Sequence, residues 1–131
     1  MNASGIRKGA SQLLAPPPEL EALDVSDLRA YDLVVIRTRN SLYRFVVTSD
    51  RDRRGRLSGD FHRRLYPEAV FVGTLVRLGE RLHTFSTHLR TQAHALFHLH
   101  EGGEVLQLVT SAIVSLCCFR HSDEAALEFD R

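Results

Sequence analysis

Three histidines in one short stretch, His94, His98 and His100, are spaced so that a β-strand carries them all on one face, with Ala95, Phe97 and Leu99 on the other. Imidazole is the commonest nitrogen ligand for zinc, copper or nickel, and three of them fill three positions of a metal site. The strand spacing works against that chemistry. At the usual rise per residue His94 and His98 lie roughly 13 Å apart, and His98 and His100 about 7 Å apart. The second pair, joined by His83 or His88 from a neighbouring strand, is therefore the better ligand set. A helix would instead bring His94 and His98 within one turn of each other. The plainer expectation is a solvated, mildly polar strand face.

Arginine makes the second constellation. Between Arg37 and Arg64 nine arginines stand against three aspartates (Asp50, Asp52 and Asp60), a local charge of +6 in a chain whose net charge is +1. Arg37 and Arg44 are expected to face each other across a hairpin, a repulsive pairing unless an anion or acid lies between them. Arg39, Arg51, Arg53, Arg54 and Arg56 extend that face. Planar guanidinium forks match phosphate oxygens. With Tyr43 and Phe61 close by, such a face binds an anion or a single-stranded nucleic acid by stacking plus charge. Two features temper this reading. The chain has sixteen arginines and one lysine, Lys8, which resembles a coding preference more than local selection. The cluster is also laced with acids and is expected mostly in a loop, where charge runs usually stay wet.

Catalytic constellations are weaker. Ser86, His88 and Asp60 assemble only the kind of trio that any chain of this size offers, and no Gly-x-Ser-x-Gly elbow, phosphate-binding glycine loop or His-Glu-x-x-His occurs. The acids Asp123 and Glu124 fall in a tail where no pocket shifts their pKa values. The adjacent Cys117 and Cys118 cannot close an unstrained disulfide with each other, and two thiols alone do not make a tetrahedral zinc site. On a strand they point to opposite faces and read as two small hydrophobes. No catalytic residue and no cofactor are predicted.

These side chains depend on the elements that carry them. Leu33 to Ile36 and Phe45 to Val47 flank a polar break and predict a hairpin with Asn40-Ser41 as its two-residue loop. That register puts Ile36 opposite Phe45, Val34 opposite Val47 and Thr38 opposite Tyr43 on one face. Residues Ser49 to Pro67 read as a polar stretch with a short strand around Arg56 to Ser58. A strand follows over Ala69 to Leu78 with Gly73 at a bulge, then a Gly79-Glu80 turn and a strand over Leu82 to Thr87. Residues Gln92 to Thr110 fit either a helix or a hairpin turning at Gly102-Gly103. The hairpin is preferred, because it pairs Phe97 with Leu108 and Leu99 with Leu106. Ala112 to Phe119 forms the last strand.

The expected fold is all-β, a single-domain barrel or sandwich of six to eight short antiparallel strands with one short N-terminal helix or turn, Ser26 being its possible N-cap. Residues 1–18 read as an Ala/Ser/Pro-rich arm, 19–120 as the β domain and 121–131 as an acidic tail. An apolar fraction of 44% and a charged fraction of 25% are those of a globular protein, and a core of about 95 residues folds without staples. The longest apolar runs are far too short to span a bilayer, and the residues after Arg7 and Lys8 are too polar for a secretory signal, so a cytoplasmic protein with no membrane partner is expected. The segments Arg37 to Phe45 and Val109 to Ser111 resemble stretches of small bacterial β proteins, which implies nothing about mechanism. The leading functional expectation is a non-catalytic binding or protein-interaction domain, its partner a protein or a second copy of itself. Nucleic-acid or phosphate binding through Arg37, Arg39, Arg44, Arg54, Arg56 and Tyr43 is the alternative, and metal binding by His94, His98 and His100 a weaker one.

Overall fold

The computed structural model describes residues 17–59, 64–85 and 87–121. Ten strands follow in order: β1 (Ala22–Asp24), β2 (Leu33–Thr38), β3 (Leu42–Ser49), β4 (Arg54–Gly59), β5 (Arg64–Leu78), β6 (Arg81–Phe85), β7 (His88–Arg90), β8 (His94–Glu101), β9 (Glu104–Val109) and β10 (Ile113–Phe119). A 3-10 turn, Val25–Asp27, follows β1. The fold is all-β, as the alternation of apolar and polar residues requires. The predicted arm and acidic tail lie almost wholly outside the described residues.

Seven strands form an antiparallel sheet in the order β10-β2-β3-β4-β5-β8-β9, and β6 joins it by pairing with β5. On the inner face every second residue is apolar: Val34 and Ile36 on β2, Tyr43, Phe45 and Val47 on β3, Leu57 on β4, Ala95, Phe97 and Leu99 on β8. Phe45 and Phe97 come from strands three places apart in the sheet, yet their rings meet at 5.2 Å, and Phe71 of β5 meets Phe97 edge-on at 5.6 Å. The sheet therefore curls over its own core. Its end strands, β9 and β10, do not pair with each other, so no closed barrel forms among the described residues.

A smaller sheet, β1 with β7, covers one opening of the roll. Leu23 and Leu89 enter the core from it, and Val25 and Leu28 from the 3-10 turn that follows β1. The chain ahead of β1 lies along the free edge of β10, where the Leu20 amide donates to the Leu116 carbonyl at 2.7 Å. Thr74, fully buried on β5, donates its hydroxyl to the His88 carbonyl and ties β7 down. Asp24, not Ser26, caps the 3-10 turn, accepting from the Ser26 amide at 3.0 Å and its hydroxyl at 2.7 Å. Those two hydrogen bonds hold the Asp24 carboxyl below its ordinary pKa. No helix among the described residues is long and apolar enough to cross a membrane.

The first hairpin forms with its faces as expected but in a different register. Ile36 pairs with Tyr43, Val34 with Phe45 and Arg37 with Leu42, a slip of two residues from the predicted pairing. The cause is local. The Thr38 amide donates to the Ser41 carbonyl at 2.8 Å and the Thr38 hydroxyl accepts the Asn40 and Ser41 amides at 3.3 and 3.0 Å, which closes the turn on Arg39-Asn40 in place of Asn40-Ser41. The second hairpin matches its predicted register, Phe97 with Leu108 and Leu99 with Leu106, so residues 94–101 are strand and not helix. Gly102 and Gly103 take φ of 60° and 82°, the left-handed pair that a two-residue hairpin turn needs. Gly73 lies at a register shift between β5 and β8. The stretch 49–67, read as mostly loop, instead supplies β4 and the start of β5. β4 contains the short strand expected around Arg56 to Ser58 and extends it at both ends, where the only inward residue besides Leu57 is Gly55 and the apolar signal is weak.

Gly55 has a steric reason. A Cβ there would run into the Val46 carbonyl and lie 2.9 Å from the Phe45 ring. Gly55→Ala is expected to lower stability by about 2 kcal/mol through overpacking between β3 and β4. Urea unfolding with an unchanged slope is the measurement, and a midpoint equal to the parent's would mean the strands are not so close.

Candidate functional site

The outer face of β10, β2, β3 and β4 carries the arginines. Two rows cross it: Cys117, Val35, Arg44, Ser58 and Leu65, then Phe119, Leu33, Val46 and Arg56. A third row places Ser115 beside Arg37 and Leu42. Arg37 and Arg44 thus do not face each other directly. The two-residue slip makes them diagonal neighbours, roughly 7–8 Å apart at the backbone, and Arg56 continues the same diagonal onto β4. All three side chains are exposed. On the β10 side of this arginine staircase lies a half-buried apolar strip of Val35, Leu33, Val46, Cys117 and Phe119. Arg54 stands further along β4 and pairs with Glu68 at 3.6 Å.

Two members of the predicted site lie elsewhere. Tyr43 is a core residue, 8% exposed and opposite Gly59, so its ring is not offered to the arginine face. Its alternation with Arg44 sends the two side chains to opposite sides of β3. Arg39 sits in the β2–β3 loop and lines a separate open groove of about 720 Å³, together with Glu19, Glu21, Thr91, Gln92 and Ser115. Phe61, Asp60 and Ser86 lie outside the described residues.

His94, His98 and His100 share one face of β8, as expected, but are not drawn together. The His94 ring nitrogen Nδ1 hydrogen-bonds with the Thr110 carbonyl at 2.9 Å, His98 lies between Val70 and Gln107, and His100 is exposed beside Val105. His88 is engaged by Asp24 at 3.6 Å and by the Thr87 hydroxyl at 2.9 Å. Among the described residues no group of three His, Cys, Asp or Glu side chains is placed to hold a metal ion. Cys117 points outward and Cys118 packs toward the core, and no disulfide joins them.

Sequence reasoning missed one buried acid. Asp32, 2% exposed at the start of β2, accepts the Arg29 amide at 2.9 Å and the Arg120 guanidinium at 3.0 Å on Oδ2, and the His121 amide at 2.9 Å on Oδ1. Burial raises its pKa, but the backbone amides of Arg29 and His121 and the Arg120 charge outweigh that and hold it below the ordinary value. The carboxylate fastens the end of β10 to the start of β2. Its only sequence signal is an aspartate just ahead of an apolar run, and two of its three partners stand 88 and 89 residues away.

Comparison with known proteins gives no further guide: no family model, no curated protein and no solved structure matches the chain.

Proposed function

We propose that this chain is a non-catalytic interaction domain that presents the outer face of β10, β2, β3 and β4 to a protein partner bearing acidic and apolar side chains. The observation that carries this reading is the Arg37–Arg44–Arg56 diagonal running beside the apolar strip of Leu33, Val35, Val46 and Phe119. Guanidinium groups at the rim of an apolar patch supply directional pairing to carboxylates while the patch supplies buried area. Among the described residues the two carboxyls with shifted pKa values, Asp24 and Asp32, are both engaged in capping and fastening the chain, which favours binding over acid–base catalysis. A cytoplasmic setting goes with this reading, and there the thiols of Cys117 and Cys118 stay reduced.

The same arginines keep a nucleic-acid reading as the alternative, weakened by the loss of Tyr43 as a stacking platform. One selection separates the two. Displayed random peptides panned against the protein should enrich acidic segments with interspersed apolar residues, and Arg44→Glu should cut binding of the recovered peptides at least about tenfold, the cost of losing one charge-assisted contact. Binding of single-stranded oligonucleotides that falls steeply with salt would replace this proposal with the alternative. Peptides recovered without acidic character, or unaffected by Arg44→Glu, would overturn it.

A further inference from the structure

The two ends of the large sheet are treated differently. The edge of β10 is covered by the chain around Leu20. The edge of β9 pairs with nothing among the described residues, and five of its six residues are exposed. Edge strands in soluble proteins usually carry lysine, proline or a bulge that blocks pairing with another chain. β9 reads Glu104-Val105-Leu106-Gln107-Leu108-Val109, with no such device inside it. Val105, Leu106 and Val109 are 54%, 42% and 48% exposed.

The hydrogen-bond phase of the β8–β9 ladder shows which groups face outward. The Thr110 amide donates to the Ala95 carbonyl at 3.0 Å, and pairing proceeds from there in steps of one: Leu96 with Val109, Phe97 with Leu108, down to Glu101 with Glu104. In an antiparallel ladder hydrogen-bonded and non-bonded pairs alternate. Leu108, Leu106 and Glu104 therefore turn their amides and carbonyls toward β8. Val105, Gln107 and Val109 turn theirs to the open edge.

We infer that β9 is the seam of a two-fold homodimer, paired antiparallel with β9 of a second copy and centred on Gln107. In that register Gln107 faces Gln107 of the second copy, and each Val105 faces a Val109. All three outward residues of both strands are then satisfied, in about six backbone hydrogen bonds. The side chains agree with the backbone. A two-fold axis perpendicular to a continuous sheet must pair residues of like parity, which sets Val105 against Val109 on the outer face and Leu106 against Leu108 on the inner face. Glu104 comes opposite Thr110, so no two carboxylates oppose each other. Sliding the strands by two either brings in the glycine turn or runs past Val109, and leaves outward groups without partners. This seam is separate from the arginine face, so the dimer stands or falls independently of the proposed partner.

The test is sedimentation equilibrium of the full chain over a range of concentrations, with amide exchange by NMR. The parent should approach twice the 14.8 kDa chain mass as concentration rises. Exchange of the Val105, Gln107 and Val109 amides should slow in step, while Leu106 and Leu108 are protected throughout. Gln107→Pro removes an amide that the monomer does not use, so it should fold normally yet weaken the dimer at least about tenfold. Val109→Lys should do the same by setting a charged side chain in place of an apolar one against Val105 of the second copy, and Arg44→Glu should leave the dimer unchanged. A parent that stays monomeric at all concentrations, or folded Gln107→Pro and Val109→Lys variants that dimerise like the parent, would overturn the inference.

Discussion

Replacing Phe97 by alanine should cost about 4 kcal/mol of stability, the largest effect of any single side chain on the inner face. Phe97 is fully buried and is the ring on which both Phe45 and Phe71 lean. Truncation removes the transfer free energy of a whole aromatic side chain and leaves a cavity inside a roll whose strands are fixed to one another by backbone hydrogen bonds, so neighbours relax into it only in part. For a domain of this size the loss corresponds to a fall in Tm of roughly 15–30 °C, which thermal unfolding by circular dichroism reads directly. Phe97→Leu should recover more than half of it. A loss no greater than that of Leu106→Ala at the exposed edge would mean that β3 and β8 do not meet.

Asp32→Asn should be the most damaging change among the polar residues, at about 3 kcal/mol near neutral pH. The amide has nearly the same shape, but it sets N–H groups against donors that the carboxylate accepted and leaves the Arg120 guanidinium without its counter-charge. Arg120 is partly solvated, 38% exposed, which keeps the loss below that of a fully buried pair. The pH dependence has a definite sign. Because the folded-state pKa of Asp32 is lowered, its contribution is fully present above the unfolded carboxylate value near 4 and is lost as pH falls through the lower folded value. The stability gap between parent and Asp32→Asn should be equal at pH 7 and pH 5 and should narrow below about pH 4. A gap that narrows between pH 7 and pH 5 would assign the effect to another group.

Alternation with a period of two was enough to place the apolar faces of β2, β3, β8 and β9, because each of those strands buries one side against the roll. It could not distinguish the observed first hairpin from one slipped by two residues, since both bury the same side chains. That ambiguity is why Arg37 and Arg44 were expected face to face and are found on a diagonal. The second hairpin escaped it through Gly102 and Gly103, whose positive φ values fix the loop length and with it the register. The arginine face was legible as a charge cluster but not as a staircase, because its third member depends on how β4 pairs with β3. Tyr43 was already on the core side of the alternation, alongside Phe45, and its place in a binding face conflicted with the pattern that located it. The histidines kept their common face, and among the described residues no group of three ligating side chains is gathered around them. Asp32 was invisible because its environment is made by residues from the far end of the chain.

The pairing of β2 with β10 has a consequence for synthesis. Leu33 and Phe119 are partners, so while the ribosome extends the chain from β3 through β9, the β2 edge has no strand beside it. The meander from β2 to β5 can assemble as it emerges, but the layer it forms must wait for the last strand before Asp32 finds Arg120 and His121. Such distant pairing slows folding and leaves a hydrophobic margin exposed on the nascent protein. The interval between translation of β3 and release of β10 is when this chain most needs a chaperone.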